Sequence, residues 1–156
     1  MKRVKQACFL AIMLLLTMSR IYAQKYYKVI DATSTSFSGG MPQSGSGTTY
    51  NIKIVLTSNQ KITFNNIWIG KEYGVPEYMS FSYADRRTLV KGDTAIVRYT
   101  VHHYPPGSPM LQMPAPAYKS PPIPIEGEAL LGFTVGKATR YRSVGKFKEQ
   151  AAHNYQ

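Results

Sequence analysis

The chain has 156 residues and carries 19 Lys and Arg against eight Asp and Glu, a formal net charge of +11. Such a length supports one hydrophobic core and one domain. The single cysteine, Cys8, excludes an intrachain disulfide, and residues 24–156 contain no thiol that could act as a nucleophile or a metal ligand.

The first 23 residues have the layout of a secretory signal peptide. A positive segment comes first, formed by Lys2, Arg3 and Lys5. An apolar run at residues 9–18 follows, and Ala23 supplies a small residue at a cleavage position. The run is shorter than the roughly 20 residues of a spanning helix, which favours cleavage over anchoring. We therefore expect an exported protein in the periplasm or at the cell surface of a bacterium, because export without cysteine suits a bacterial envelope.

Removal of residues 1–23 changes the charge of the chain. The leader takes four of the 19 cations and none of the acids, so 15 cations remain against eight acids, a net charge of +7. This balance favours an anionic partner without identifying one.

Residues 25–69 predict three strands and one long loop. Residues 25–33 have strand composition, whereas residues 34–49 are rich in Gly, Ser and Thr and predict a flexible loop. Residues 50–57 alternate between apolar and polar side chains, and residues 61–69 have strand character again after a short polar turn. This pattern predicts a hairpin of the two strands. The alternation changes phase at Asn65-Asn66, where we expect a β-bulge.

The clearest strand signal lies at residues 91–104, after predicted short strands at 78–83 and 88–90. Beyond the Gly92-Asp93 turn, one side of the strand collects four apolar residues, Ala95, Val97, Tyr99 and Val101. A short strand, a Gly-Asp turn and a long alternating strand resemble the middle of small exported immunoglobulin-like β-sandwich domains, over residues 88–101. The resemblance implies two stacked antiparallel sheets and implies nothing about a ligand.

Residues 105–124 contain eight prolines, which excludes a central strand. A long irregular segment inside a compact domain is usually functional or disordered. Two interpretations remain open: the segment lies along a sheet edge and buries its apolar residues, which we favour, or it protrudes and docks a partner. The residues concerned are Met110, Leu111, Met113 and Tyr118.

The last part of the chain predicts two strands, at residues 128–135 and 138–148, followed by a frayed tail at 149–156. In total about seven strands are expected. The sequence therefore predicts an all-β protein: a signal peptide at residues 1–23 and a single immunoglobulin-like antiparallel β-sandwich at 24–148.

A cluster of cations is the sharpest surface feature. If residues 138–148 form one strand, four cations share a face at steps of about 6.6 Å, and a lysine at the preceding turn extends the row. These residues are Lys137, Arg140, Arg142, Lys146 and Lys148. Such a row could bind phosphates or carboxylates of an anionic polymer or lipid surface. The alternative, which we favour, is a solvated edge strand whose charges prevent aggregation. The absence of a recognition motif argues against nucleic acid.

No arrangement in the sequence predicts catalysis, a metal or a cofactor. His102-His103 are adjacent, so on a strand they point to opposite faces, and no other metal-ligand spacing occurs. Glu126 and Glu128 lie at a strand start, where solvated carboxylates are ordinary. The spacings Ser58-x-x-Lys61 and Ser143-x-x-Lys146 fall outside helices, which that motif requires.

Three functional hypotheses follow. In the first, the protein is a non-enzymatic binding or structural module of the bacterial envelope that docks a protein or glycan through loops or a sheet edge. In the second, it is a peripheral module that holds an anionic polymer or lipid through the basic strand. In the third, it is a small hydrolase or a metal-dependent enzyme, against which the missing motifs argue.

Overall fold

A computed structural model describes residues 26–39, 45–80, 91–108 and 119–154. The regular secondary structure of these ranges consists of strands. In chain order they are β1 (Tyr27–Ser38), β2 (Ser46–Leu56), β3 (Ile62–Ile69), β4 (Glu72–Gly74), β5 (Glu77–Ser80), β6 (Thr94–His103), β7 (Ala129–Val135), β8 (Ala138–Val144) and β9 (Lys148–Asn154).

The strands form two sheets that pack against each other. Sheet A has the order β5-β6-β2-β1-β9, and sheet B has the order β4-β3-β7-β8. The predicted all-β sandwich is confirmed. It has nine strands in the described ranges instead of about seven, and its pairs are antiparallel except that β9 runs parallel to β1.

The core fills the space between the two sheets. Tyr27 is fully buried at its centre, with ring centroids 5.4 Å from Phe64 and 5.0 Å from Phe133 in edge-on geometry. Sheet A contributes the alternating residues of β2 and β6, and sheet B those of β3 and β7. Fully or nearly fully buried members include Ile52, Ile54, Val97, Ile67, Leu131 and Val144. The inner face predicted for the strand at residues 91–104 is confirmed for Ala95, Val97 and Tyr99, which belong to this core or pack against it. The fourth predicted residue, Val101, is buried but lies outside this core cluster.

The predicted hairpin of residues 50–57 with 61–69 is wrong. Strand β2 pairs with β1 and β6 in sheet A, whereas β3 pairs with β4 and β7 in sheet B. The short link between β2 and β3 therefore crosses from one sheet to the other. Alternation fixes which side of a strand is buried, but it does not fix which strand lies beside it. The predicted bulge is confirmed by the register shift between Phe64 and Asn66.

The segment at residues 34–49, predicted to be a loop, is strand at 34–38 and 46–49, and its residues 40–44 lie outside the described ranges. Strand β1 continues to Ser38 and β2 begins at Ser46, and the two pair in unbroken register from Asp31 to Ser38. The ladder satisfies the backbone of this polar stretch, and its threonines suit strand geometry. The short strand β4 follows β3 directly and pairs with it.

The predicted single strand at residues 138–148 is also wrong. Strand β8 ends at Val144 in sheet B, and β9 begins at Lys148 in sheet A. Phe147, between them, is buried against Tyr50 with ring centroids 5.1 Å apart, and its burial requires the chain to turn inward there. In consequence the predicted frayed tail at 149–156 is strand as far as Asn154.

Several predictions lie outside the described residues. These are the signal peptide at 1–23, the strand at 88–90 and the apolar residues of the proline-rich segment, Met110, Leu111, Met113 and Tyr118. Strand β5 covers the beginning of the strand predicted at 78–83. In the described part of the chain, no helix has the length and apolar character needed to cross a membrane.

Candidate binding surfaces

The five predicted cationic residues do not form one row. Lys137 lies in the turn before β8, and Lys146 lies in the connection to β9. Arg140 and Arg142 lie on β8 in sheet B, whereas Lys148 begins β9 in sheet A. The change of sheet at residues 145–147 divides the cluster into two surfaces. Binding of an anion by these residues stays a prediction.

The two arginines of β8 turn toward the core side of sheet B at its edge. Their strand partners are the buried residues Phe133 and Leu131. The guanidinium carbon lies 5.2 Å from the ring centroid of Tyr26 for Arg140, and 5.1 Å from that of Tyr27 for Arg142. Both distances fall within the range of cation–π attraction.

Arg142 is further fixed by a hydrogen bond, since its Nη1 donates to the carbonyl oxygen of Tyr27 at 2.5 Å. This contact joins β8 of one sheet to the start of β1 in the other. Arg142 is half-buried, whereas Arg140 is exposed. Arg142 therefore fastens the two sheets together, and Arg140 is the arginine of this pair that solvent or a ligand can reach.

Lys148 belongs to the outer face of sheet A. Its Nζ lies 2.8 Å from Oδ1 of Asp31, with 76% and 39% of the two side chains exposed. The hydrogen bond from Lys148 lowers the pKa of the Asp31 carboxyl, and the positive charge of Lys53 acts in the same direction. The two side chains are thus a surface ion pair, a class that contributes little to stability.

The same outer face carries a band of hydrogen-bonded polar side chains, which the sequence had suggested to be partly loop. The hydroxyls of Thr49 and Thr100 lie 3.2 Å apart, and Thr35 Oγ1 donates to Gln150 Oε1 at 3.1 Å. One row further along the strands, Arg98 Nε donates to Asn51 Oδ1 at 2.9 Å. Much of the hydrogen-bonding capacity of this band is therefore used within the face.

An aromatic group closes one end of that band. The ring centroid of His102 lies 5.5 Å from that of Phe37 and 5.6 Å from that of Tyr104, and the His102 and Tyr104 rings are stacked. Gly47 lies between Phe37 and β6, and a Cβ there would be 2.6 Å from the Phe37 ring. The exchange of residue 47 for any larger one would displace this group.

The outer face of sheet B differs, because it is apolar and covered. Trp68 is 4% exposed and Leu130 is fully buried, yet neither belongs to the core between the sheets. The indole Nε1 of Trp68 donates to the carbonyl oxygen of Lys119 at 2.6 Å. Tyr73 and Tyr141 flank the indole, with ring centroids at 5.2 and 6.0 Å. The described end of the proline-rich segment therefore contacts this face.

The histidines and glutamates considered for chemistry have structural surroundings. His102 and His103 are both exposed at the end of β6. Glu128 Oε2 accepts a hydrogen bond from the backbone N–H of Phe147 at 2.9 Å, and the N–H of Glu126 donates to Ser143 Oγ at 3.1 Å. Within the described ranges, no three His, Cys, Asp or Glu side chains are grouped so as to hold a metal ion.

No family model matches the chain, and neither a curated protein nor a solved structure is significantly similar to it. The fold and its surfaces are thus the basis for a functional proposal.

Proposed function

We propose that the protein is an exported, non-enzymatic binding or structural module of a bacterial envelope, which docks a protein or glycan through the β8 edge of sheet B. The observation that supports this most is the exposure of that edge. Strand β8 pairs with β7 on one side, and no described strand pairs with its other side. Ala138, Thr139 and Arg140 are all exposed there.

The exposed residues 138–140 of this edge offer backbone N–H and C=O groups to an extended partner. Charged side chains at the same edge suppress indiscriminate pairing, so a partner must complement them. Lys137 and Arg140 supply this charge, and the Tyr26 ring supports the Arg140 guanidinium. The edge thus combines backbone pairing with a requirement for negative charge.

A second candidate is a peripheral module that holds an anionic polymer or lipid surface. It is favoured by one observation: Arg140 is an exposed guanidinium stacked on a ring, an arrangement that reduces the freedom lost when an oxyanion binds. In this second candidate the positive charges would supply the binding energy. In the first candidate, backbone pairing supplies it and the charges select among partners.

Salt dependence separates the two candidates. Residues 24–156 are incubated with the envelope fraction of the source bacterium at about 50 and 200 mM salt. We expect retention at both concentrations if backbone pairing dominates. A steep fall with salt, together with equal retention on anionic vesicles or an acidic polysaccharide, would favour the second candidate.

A charge-reversal pair localises the binding. Arg140→Glu should weaken retention, whereas Lys71→Glu, an exposed lysine in the turn between β3 and β4, makes the same change in net charge away from β8. Equal effects of the two would contradict docking at this edge. Export is checked by mass spectrometry of the N-terminus, expected at Gln24 in the envelope fraction; a chain that starts at Met1 in the cytoplasm would refute the proposal.

A further inference from the structure

Strand β9 is attached to the sandwich without entering its core. Every described side chain of the strand, from Lys148 to His153, is exposed. The buried cluster includes Phe147 immediately before the strand and no residue of β9 itself. The apolar burial that holds the other long strands is therefore missing from this one.

Among the described strands, only β1 pairs with β9, and the contacts between the two are weak. It pairs with β1 in parallel register, Lys148 opposite Thr33 and Gln150 opposite Thr35, and the register shifts before His153. Parallel pairing is slightly less stable per residue than antiparallel pairing, and an irregularity disrupts the ladder locally. The side-chain contacts of β9 include the exposed Lys148–Asp31 ion pair and the Thr35–Gln150 hydrogen bond. Such a strand belongs to the part of a protein that opens most readily.

The site that β9 would vacate on β1 selects for a particular strand. It fits a parallel chain with a cation beside Asp31 and, two residues later, a side chain that accepts a hydrogen bond from Thr35. The chain's own strand β9 has both features. A second copy of the protein therefore carries an occupant of matched register and charge.

The connection before β9 defines where the strand pivots. Phe147 is held by burial and by the carboxylate of Glu128. Lys148, the next residue, is exposed. The strand can thus move as a unit from Lys148 onward while the core remains closed.

We propose that the edge of β1 is an interaction surface for the C-terminal strand of a second copy, so that two molecules exchange β9 reciprocally. Exchange re-forms each contact of β9 in trans and leaves the core unchanged. The cost is therefore confined to opening two edge strands and associating two molecules, as in other domain-swapped dimers. This inference is independent of the ligand that docks at β8.

Single cysteines on either side of the β1–β9 ladder test the exchange. Full chains that all carry Cys8→Ser are prepared with Thr35→Cys or with Gln150→Cys, so that the new thiols are unique. The two positions are opposite each other in the parallel ladder, and the spacing of about 4.8 Å between neighbouring strands falls in the range that a disulfide can span. The variants are mixed, incubated at high concentration and oxidised.

We expect a covalent dimer in which mass spectrometry links position 35 of one chain to position 150 of the other, rising with incubation time. The control mixes Gln150→Cys with Lys61→Cys, an exposed position outside β1, and should yield several-fold less dimer. A yield equal to the control would overturn the proposal.

A double variant, Thr35→Cys with Gln150→Cys in one chain, completes the test. It should form an internal disulfide when oxidised dilute and then give no mixed dimer, because β9 is locked in its own molecule. Failure to close this disulfide would show that the ladder differs from the one described and would overturn the proposal as well.

Discussion

The two outer faces of the sandwich differ in polarity and in exposure to solvent. Sheet A exposes a polar band whose side chains bond to one another, whereas sheet B places Trp68 and Leu130 outward and covers them. The indole N–H of Trp68 donates to the carbonyl oxygen of Lys119, which belongs to the described end of the proline-rich segment. The comparison teaches that sheet B has an apolar layer on each side, while sheet A has one only. Mutations on the two outer faces should therefore have unequal costs.

The largest difference is expected at Trp68. Trp68→Ala removes a nearly buried indole and should lower the free energy of unfolding by about 3–5 kcal/mol. Thr100→Ala, on the outer face of sheet A, removes one hydroxyl and should cost about 0.5–1.5 kcal/mol. Urea unfolding followed by circular dichroism measures both. Similar costs would show that the face of sheet B is not a second apolar layer.

A second test uses the glycines that lie under rings on each face. A Cβ at Gly47 would lie 2.2 Å from the Val101 carbonyl oxygen, so Gly47→Ala should destabilise the protein by about 1–3 kcal/mol. At Gly132 the nearest atoms belong to the Trp68 and Tyr141 rings at 3.3 Å, and a smaller loss is expected.

Gly145→Ala is the matched control for both glycine variants, because its Cβ would meet nothing within 4 Å. It should change stability by less than about 0.5 kcal/mol. An equal loss in all three variants would point to a general intolerance of alanine instead of the specific close approaches. Thermal unfolding of the three proteins under one condition gives the ranking.

The layer between the two faces contains a buried hydroxyl. Among the described residues, the Tyr27 hydroxyl has no hydrogen-bond partner. Tyr27→Phe should therefore leave stability unchanged at neutral pH or raise it by about 1 kcal/mol.

The pH dependence of the same variant adds a second measurement. Burial raises the pKa of the Tyr27 hydroxyl above its ordinary value of 10.0 and raises the pKa of Tyr78 to about 12. Above pH 10 the unfolded chain ionises these tyrosines and the folded chain does not, so stability falls as the pH rises. Urea unfolding at about pH 8 and pH 10.5 should show a smaller loss for Tyr27→Phe than for the unmodified protein. A loss of equal size in both proteins would contradict the assignment to Tyr27.

The smallest effect concerns the ion pair on the outer face of sheet A. Lys148→Gln should raise the pKa of Asp31 toward its ordinary value, because the hydrogen bond from Lys148 is the main cause of its lowering. The depressed pKa contributes stability above the ordinary pKa of Asp that is lost on acidification, so this variant should be less sensitive to acid. Carboxyl NMR titration measures the shift. Lys53→Gln, a weaker influence on Asp31, should shift the pKa less.

The sequence predicted correctly which side of a strand is buried, but it predicted poorly which strands pair with each other. Alternation in β6 identified Ala95 and Val97 as core residues, and the phase change at Asn65-Asn66 located the bulge. The same signal could not show that β2 and β3 belong to different sheets, because a period of two is identical in both arrangements. Strand β9 was missed since its exposed side chains have no apolar period.

The candidate site shows the same limit in a different form. Arg140 and Arg142 were correctly placed two residues apart on one side of a strand, but that side faces the core edge. The arginines counted as polar in the pattern, although their guanidinium groups pack on Tyr26 and Tyr27. The contacts join two distant parts of the chain, because Tyr26 and Tyr27 lie at the start of β1 and the two arginines lie on β8. A pattern read within one strand cannot detect such contacts. The polar band of sheet A was missed because it spans four strands.

Because β2 and β3 belong to different sheets, they do not pair with each other, and this affects the order in which strands pair during folding. Strand β3 must wait for β7, where Ile69 pairs with Ala129, and β1 must wait for β9, where Thr33 pairs with Lys148. Contacts of such long sequence separation make folding slow. A nascent chain that has not yet reached β7 cannot complete sheet B and presents the edge of β3, so aggregation is a greater risk before β7 is synthesised than after it.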